Sequence, residues 1–348
     1  MKRKGIVITI IGLLFLTIAL VIRFSQPDDN VKAETNIPYI HNEGKTQGTY
    51  YSATYQQPEG VDLQQKIEER MRKFDLSLST YEPNSIISRI NRNDTTVQTD
   101  MDFENMYNVA RQVSEQTNGA FDITVGPLIK AWGFGLGNTS HIKIPDVSKI
   151  LPFVGYKKIR LENHKLLKDD KRIMVDANAL AQGQSSDIIA KLLETNGCKN
   201  FMIEIGGEIV CKGLNAEGQK WRIGIDKPID DSTSANSELQ TIISITDCAV
   251  TTSGNYRKYY YLNGKKYAHE INPHTGFPVV RSLLSATVVA PTCIQADAYA
   301  TAFMVVGVDS SLQICKKIPK MDCYLIYIDK SGKNQVIYTE GFKKYLID

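Results

Sequence analysis

The sequence predicts an α+β fold, and three observations carry that prediction. Helical patterns concentrate early in the chain, after one tyrosine-rich strand, and strand pairs joined by tight turns follow later. Strands and helices do not alternate regularly, as a doubly wound sheet would require. The 348 residues suffice for a large core, and no internal repeat or low-complexity tract divides them. With 23% charged and 42% hydrophobic residues and a net charge of +3, the composition is globular and gives no support for nucleic-acid binding, which needs a concentrated basic face.

In chain order, Lys2, Arg3 and Lys4 precede an apolar run from Ile6 to Ile22, closed by Arg23. The run is near the lower end of what spans a bilayer, about 17 to 25 residues, and the basic cluster keeps the N-terminus in the cytoplasm. Residues 1–25 therefore read as a single-pass anchor in the cytoplasmic (inner) membrane. Residues 26–44 read as a polar linker and 45–348 as a domain on the extracytoplasmic, periplasmic side. A cleaved signal peptide has the same charge pattern, but no small-x-small site follows the run.

Alternation in GTYYSATY, Gly48 to Tyr55, predicts the first strand. Leu63, Ile67, Met71 and Phe74 recur at helical spacing, as do Phe103, Met106, Tyr107, Ala110 and Val113 in a helix that stops near Asn118-Gly119. A helix through Ile189 and Leu193 stops at Gly197, and short strands follow at 201–205, 208–211, 221–225 and 241–245. Asn263-Gly264 signals a hairpin. Residues 286–290 form a strand that breaks at Pro291, and a helix restarts with Thr292 and Gln295 at capping-box spacing. Strands at 324–328 and 335–338 flank the Ser331-Gly332 turn.

That last helix is almost wholly small or apolar except for Asp297 and Thr301, which are four apart and project from one face. A carboxylate among alanines is costly unless it is paired or holds a cation, and Asp and Thr oxygens suit Mg2+ better than zinc. A cap or salt bridge from Asp297 with a back-bond from Thr301 satisfies the same spacing, so both readings stand. In HEINPHTGFP, 269–278, His269 and His274 sit in a loop stiffened by two prolines and a glycine. Such a histidine can serve as general acid or base, and a plain turn with two solvated imidazoles fits equally. IGGE, 205–208, lacks GxGxxG and Walker spacing and reads as a β-turn needing positive φ; GxSxG is absent. Six cysteines lie between Cys198 and Cys323 without CxxC or zinc spacing. Their even number permits disulfides, while Cys211 and Cys248 in apolar strand-like runs fit buried thiols as well.

Taken together, GTYYSATY, LSTYEPNSIISRIN, NGAFDITVGPLIKAWGFG, VGYKKI, DANALAQG, IEIGGE, WRIGIDKP, TTSGNYRKYY, HEINPHTGFP and ATVVAP…ADAYATA resemble the ApbE family of flavin transferases in content and order. The similarity runs from about Gly48 to the C-terminus. It implies an ApbE-like, T-fold-related domain and an Mg2+-dependent exported enzyme that splits FAD, moves FMN onto a Ser or Thr of a membrane redox protein, and releases AMP. The implied acceptors resemble flavin-carrying subunits of Na+-pumping quinone reductase and Rnf-type complexes. By motif, Asp297, Thr301 and the carbonyl of Ala179 match metal ligands. Tyr81, Ala120, Phe121, Asp122, Asp176 and Gln182 match FAD contacts, with the rings of Tyr81 and Phe121 suited to pack on a flat ring. His269 matches the base for the acceptor hydroxyl, and Ile271 a backbone position in the flavin pocket.

Three positions depart from the family pattern: Gln47 replaces Met, Gln182 replaces Lys, and Asn272 replaces the Asp of HxxDP, which removes a charge near His269. The lipoprotein cysteine is absent, in keeping with an anchor. Two alternatives to transfer are an Mg2+-dependent FAD pyrophosphatase yielding FMN and AMP, and a flavin-binding protein without chemistry.

Overall fold

A hairpin opens the described chain: β1 (Ile40–Thr46) pairs antiparallel with β2 (Thr49–Gln56) through Gln47 and Gly48, whose φ angles are 49° and 73°. The computed structural model describes residues 37–134, 144–229, 238–256, 259–262 and 264–347. β1 corrects the expected linker, which was placed over 26–44. It is an edge strand carrying His41, Glu43 and Lys45, charges that blunt an edge but erase the apolar alternation that reveals a strand. Its inward residue, Asn42, is buried and accepts a hydrogen bond from Tyr55 Oη at 2.7 Å. The expected anchor, 1–25, lies outside the described residues. Among those residues no helix is long and apolar enough to cross a membrane.

Three helices follow. α1 (Gln64–Leu78) buries Ile67, Met71 and Phe74, as their spacing predicts. α2 (Ile86–Asn91) is capped by the Ser85 hydroxyl, which accepts from Ser88 N at 3.1 Å. α3 (Met101–Gln116) is capped by Asp100, which accepts from Phe103 N at 2.9 Å, and its exit turns on Asn118 and Gly119, both at positive φ. After α4 (Gly126–Ala131) come a small hairpin, β3 (Ile159–Glu162) with β4 (Lys165–Lys168), and then α5 (Ala181–Thr195).

The remaining strands are β5 (Asn200–Ile205), β6 (Glu208–Lys212), β7 (Trp221–Asp226), β8 (Leu239–Ile245), β9 (Cys248–Gly254), β10 (Tyr259–Leu262), β11 (Lys265–Ala268) and β12 (Leu283–Ala290). α6 (Cys293–Val306), α7 (Val308–Cys315), β13 (Asp322–Ile328) and β14 (Asn334–Tyr338) complete the chain. β10 and β11 pair with Leu262 opposite Lys265, the hairpin expected at 263–264. All six cysteines are free thiols, with Cys211 and Cys248 opposite one another on β6 and β9.

Eight strands form one antiparallel sheet in the order β1-β2-β5-β6-β9-β12-β13-β14, which makes the fold α+β, as expected. Strand period sorts the core. On β12 and β13, Val288, Cys323 and Leu325 face the helices, while Val289, Tyr324 and Ile326 face the β7–β8 hairpin with Trp221, Ile243 and Phe342. α6 lies on the helical side against β9, β12, α5 and α3. Enclosed on nearly every side, it can be apolar all round. That position puts two of its polar residues, Asp297 and Thr301, at the edge of a cleft.

Candidate active site

The cleft is built from the contact of α5 with α6. A Cβ on Gly183 would meet Cys293 O at 2.6 Å and Asp297 Cβ at 2.9 Å, so only glycine allows the helices to come this close. Two consequences follow. Gly183 N donates to Asp297 Oδ2 at 3.1 Å. Asp187, one turn on, accepts from Cys293 N at 2.8 Å and Ile294 N at 2.9 Å, capping α6 from a different helix. This corrects the capping box expected from Thr292 and Gln295: Thr292 Oγ1 makes no hydrogen bond among the described residues. A carboxylate at the positive end of the helix dipole displaces the weaker hydroxyl cap.

Asp297 is only 6% exposed. Burial pushes its carboxyl up to about 7, with the charge of Asp187 adding to the effect. Burial likewise raises Asp187 to about 6 despite its two amide donors. No basic side chain pairs with Asp297 among the described residues, which removes the salt-bridge reading. Thr301 Oγ1 lies 3.5 Å from Ser253 Oγ of β9.

The two loops expected to carry FAD contacts also reach the cleft. Asp122 is buried and fully engaged: Oδ1 accepts from Thr124 N and Oγ1, and Oδ2 accepts from Tyr156 N at 2.6 Å. It latches the 120–124 turn, and burial raises its carboxyl above the usual range. Phe121 is 2% exposed and its ring belongs to the core, so the ring expected to pack on a ligand faces inward. Tyr81, by contrast, is 64% exposed at the cleft edge and available to a flat ligand. Asp176 caps its own turn through Asn178 N at 2.8 Å, and desolvation raises its carboxyl. Gln182 lies against Gly206, at the β5–β6 turn where Gly206 and Gly207 have φ of 67° and 106°, as IGGE predicts.

HEINPHTGFP is a rigid loop. Ile271 bridges Pro278, Asn272 N donates to Phe277 O at 2.9 Å, and Trp132 Nε1 donates to Gly276 O at 2.7 Å. The two histidines part company here. His274 Nε2 contacts Asn118 O at 2.9 Å and ties this loop to the 118–122 turn, whereas His269 lines the cleft. Asn272 Oδ1 accepts from His274 N at 2.9 Å, a turn-closing role that Asn and Asp fill alike. A carboxylate close to His269 comes instead from Glu270, whose Oε1 is 3.4 Å from Nδ1.

One cleft of about 1750 Å3 is lined by Tyr81, Ala120, Phe121, Asp122, Asp176, Ala179, Gln182, His269, Ile271, Asp297 and Thr301, the positions that the family resemblance implied for the site, while His274 lies outside this lining. It also holds residues that sequence reasoning passed over. Glu204 and Glu208 flank the diglycine turn, which signals only a turn, and Arg222 alternates outward on β7 like any solvated residue. Among the described lining residues, Asp75, Asp122, Asp176, Glu204, Glu208, Asp226, Glu270 and Asp297 outnumber the basic Arg222 and His269. Such a lining attracts a divalent cation and repels a bare phosphate anion.

The ApbE family model matches residues 47–325 of this chain. An FAD:protein FMN transferase of Haemophilus influenzae is 33% identical over 336 residues, 92% of this chain and 93% of that protein. One of Vibrio cholerae is 35% identical over 316 residues, 88% of this chain and 90% of that protein. The solved flavin transferase ApbE from Vibrio cholerae superimposes with a TM-score of 0.80 at 32% identity, covering 89% of this chain and 99% of that one.

Proposed function

This chain belongs to the ApbE family and is an FAD:protein FMN transferase; we propose that it is Mg2+-dependent and acts on a Ser or Thr of a membrane redox subunit. The observation that supports this reading is the convergence of Asp297, Thr301, Ala179 and His269 in one acidic cleft. FAD carries an anionic pyrophosphate, and a cleft lined by carboxylates accommodates it only with a cation between them. The donor set fits Mg2+: one carboxylate, one hydroxyl and one backbone carbonyl, with room for water and phosphate oxygens. When bound there, Mg2+ would offset the charge that develops on the departing phosphate.

The residues around it bind, orient and move a proton. Tyr81 covers the flat flavin at the cleft edge, and the 120–124 and 176–182 loops, fixed by their internal carboxylate bonds, hold the substrate in place. His269 takes the proton of the acceptor hydroxyl as its oxygen bonds to the phosphorus of the FMN half. The bridging P–O bond breaks, and its electrons leave with AMP. The product is a phosphoester-linked flavin.

The acceptors that this reading favours resemble subunits of Na+-pumping quinone reductase and Rnf-type complexes. Residues 1–25 would anchor the enzyme in the inner membrane beside them, with the domain on the extracytoplasmic side. Incubation with FAD, Mg2+ and such an acceptor domain tests the proposal. The expected result is an acid-stable fluorescent acceptor band with equimolar AMP. AMP without the band indicates hydrolysis instead, and full activity in EDTA would refute the metal requirement.

A further inference from the structure

Glu270 is a buried acid with no evident structural employment. Its side chain is 4% exposed, it lines the cleft, and neither carboxylate oxygen receives a hydrogen bond among the described residues. A carboxylate this deep is costly to desolvate unless a partner compensates. Its backbone is fixed, because Glu270 O accepts from Val279 N at 2.8 Å beside the Ile271–Pro278 bridge. Beside it stands His269, whose Nδ1 is 3.4 Å from Oε1.

We propose that Glu270 is the positioning residue for His269: its carboxylate accepts the Nδ1–H of the imidazole and leaves Nε2 as the lone-pair nitrogen that takes the acceptor's proton. The inference rests on the transferase reading of His269. At 3.4 Å the contact is long for a resting hydrogen bond. Such contacts commonly tighten in the reacting complex, here as Nε2 becomes protonated and the ring carries a positive charge. The proton passes from the acceptor hydroxyl to Nε2, the new O–P bond forms, the bond to AMP breaks, and the imidazolium is held by Glu270 until it releases the proton to water. No other reactant is needed.

Histidine-selective 15N NMR and steady-state kinetics test this together, on the wild-type protein and the Glu270→Ala, Glu270→Gln and His269→Ala variants. At about pH 8.5, where an ordinary imidazole is neutral, the resonance missing from His269→Ala should report the Nδ1–H tautomer in the wild type. In Glu270→Ala it should revert to the Nε2–H form. Turnover should fall by about 10- to 1000-fold, within the usual range of general-base catalysis, with KM for FAD within about twofold of wild type. Glu270→Gln is nearly isosteric and keeps an acceptor oxygen, so it should restore the tautomer but only part of the rate. A tautomer unchanged by Glu270→Ala overturns the proposal, as does a raised KM at constant turnover, which would make Glu270 a substrate contact. An equal loss on adding Glu270→Ala to His269→Ala also overturns it. The tautomer readout requires neither FAD nor acceptor. A tautomer that shifts in a protein unable to transfer flavin would therefore count against the transferase reading and leave the pairing intact.

Discussion

Cation binding at Asp297 should release a proton, and the size of that coupling follows from the carboxyl's position. Burial pushes it up to about 7, so in the metal-free protein at pH 6 about nine molecules in ten hold the proton, against about one in ten at pH 8. The apparent affinity for Mg2+ should therefore be about tenfold weaker at pH 6 than at pH 8, with close to one proton released at the lower pH. Stability carries the complementary sign. The folded carboxyl is raised above its value of 3.8 outside the fold, so the folded state binds more protons, and metal-free stability falls as pH rises from about 4 to about 7. The rise of about three units corresponds to an upper bound on the order of 4 kcal/mol. Mg2+ at about 100 times its Kd would restore about 2.7 kcal/mol. Isothermal titration in two buffers of different ionisation enthalpy measures the released proton, with Asp297→Asn as the control that should bind weakly and without pH dependence. A wild-type Kd that is flat from about pH 6 to about pH 8, or an Asp297→Asn variant that binds as well as wild type, would refute the assignment.

Three further outcomes are expected. Gly183→Ala drives a methyl to 2.6 Å from the Cys293 carbonyl, so it should cost about 1 to 3 kcal/mol and lower Tm by a few degrees; an unchanged melting curve would show that α5 and α6 are free to part. Asp187→Ala strips two α6 amides of their acceptor and should cost about 1 to 3 kcal/mol. Because Asp187 is raised from 3.8 to about 6, the wild type loses part of that advantage as pH rises, and the gap in denaturation midpoints should narrow across that window. His269→Ala should lower flavin transfer by about 10²- to 10⁴-fold while FAD still binds, as judged by quenching of flavin fluorescence; a near-normal rate would reduce His269 to a loop residue.

What was legible in the sequence follows the range of the forces involved. Strands and helices with a buried face announce themselves by period, which is why α1, α3, β5, β6, β7 and β13 were placed correctly. β1 was lost to the linker because an edge strand is stabilised by its ladder to β2 and need not bury alternate residues. The capping box at Thr292 was a local signal overridden by a tertiary one, Asp187 arriving from another helix. In the site, Asp297 and Thr301 stood out because a polar pair interrupts an apolar helix. Glu270, Glu204 and Arg222 carried no such mark, since an acid or base in a strand or loop looks solvated until the fold shows what lies above it.

Phe121 and Asp122 show that a residue can line a cleft with its side chain already engaged elsewhere. Both belong to the cleft wall, yet the ring of one fills the core and the carboxylate of the other is saturated by Thr124 and Tyr156. Their contribution is to hold a backbone in position. The side chains left with unspent capacity among the described residues are of another kind: Asp297 with one amide donor and no base, Glu270 with no hydrogen-bond donor, and Tyr81 exposed at the edge. A folded chain tolerates buried carboxylates in that condition only if something else completes them. For Asp297 the proposed divalent cation would do so, and for Glu270 the proposed imidazolium of His269. The acidity of the cleft is then a consequence of its chemistry, since the charges that make the metal-free site costly are those that the loaded site uses.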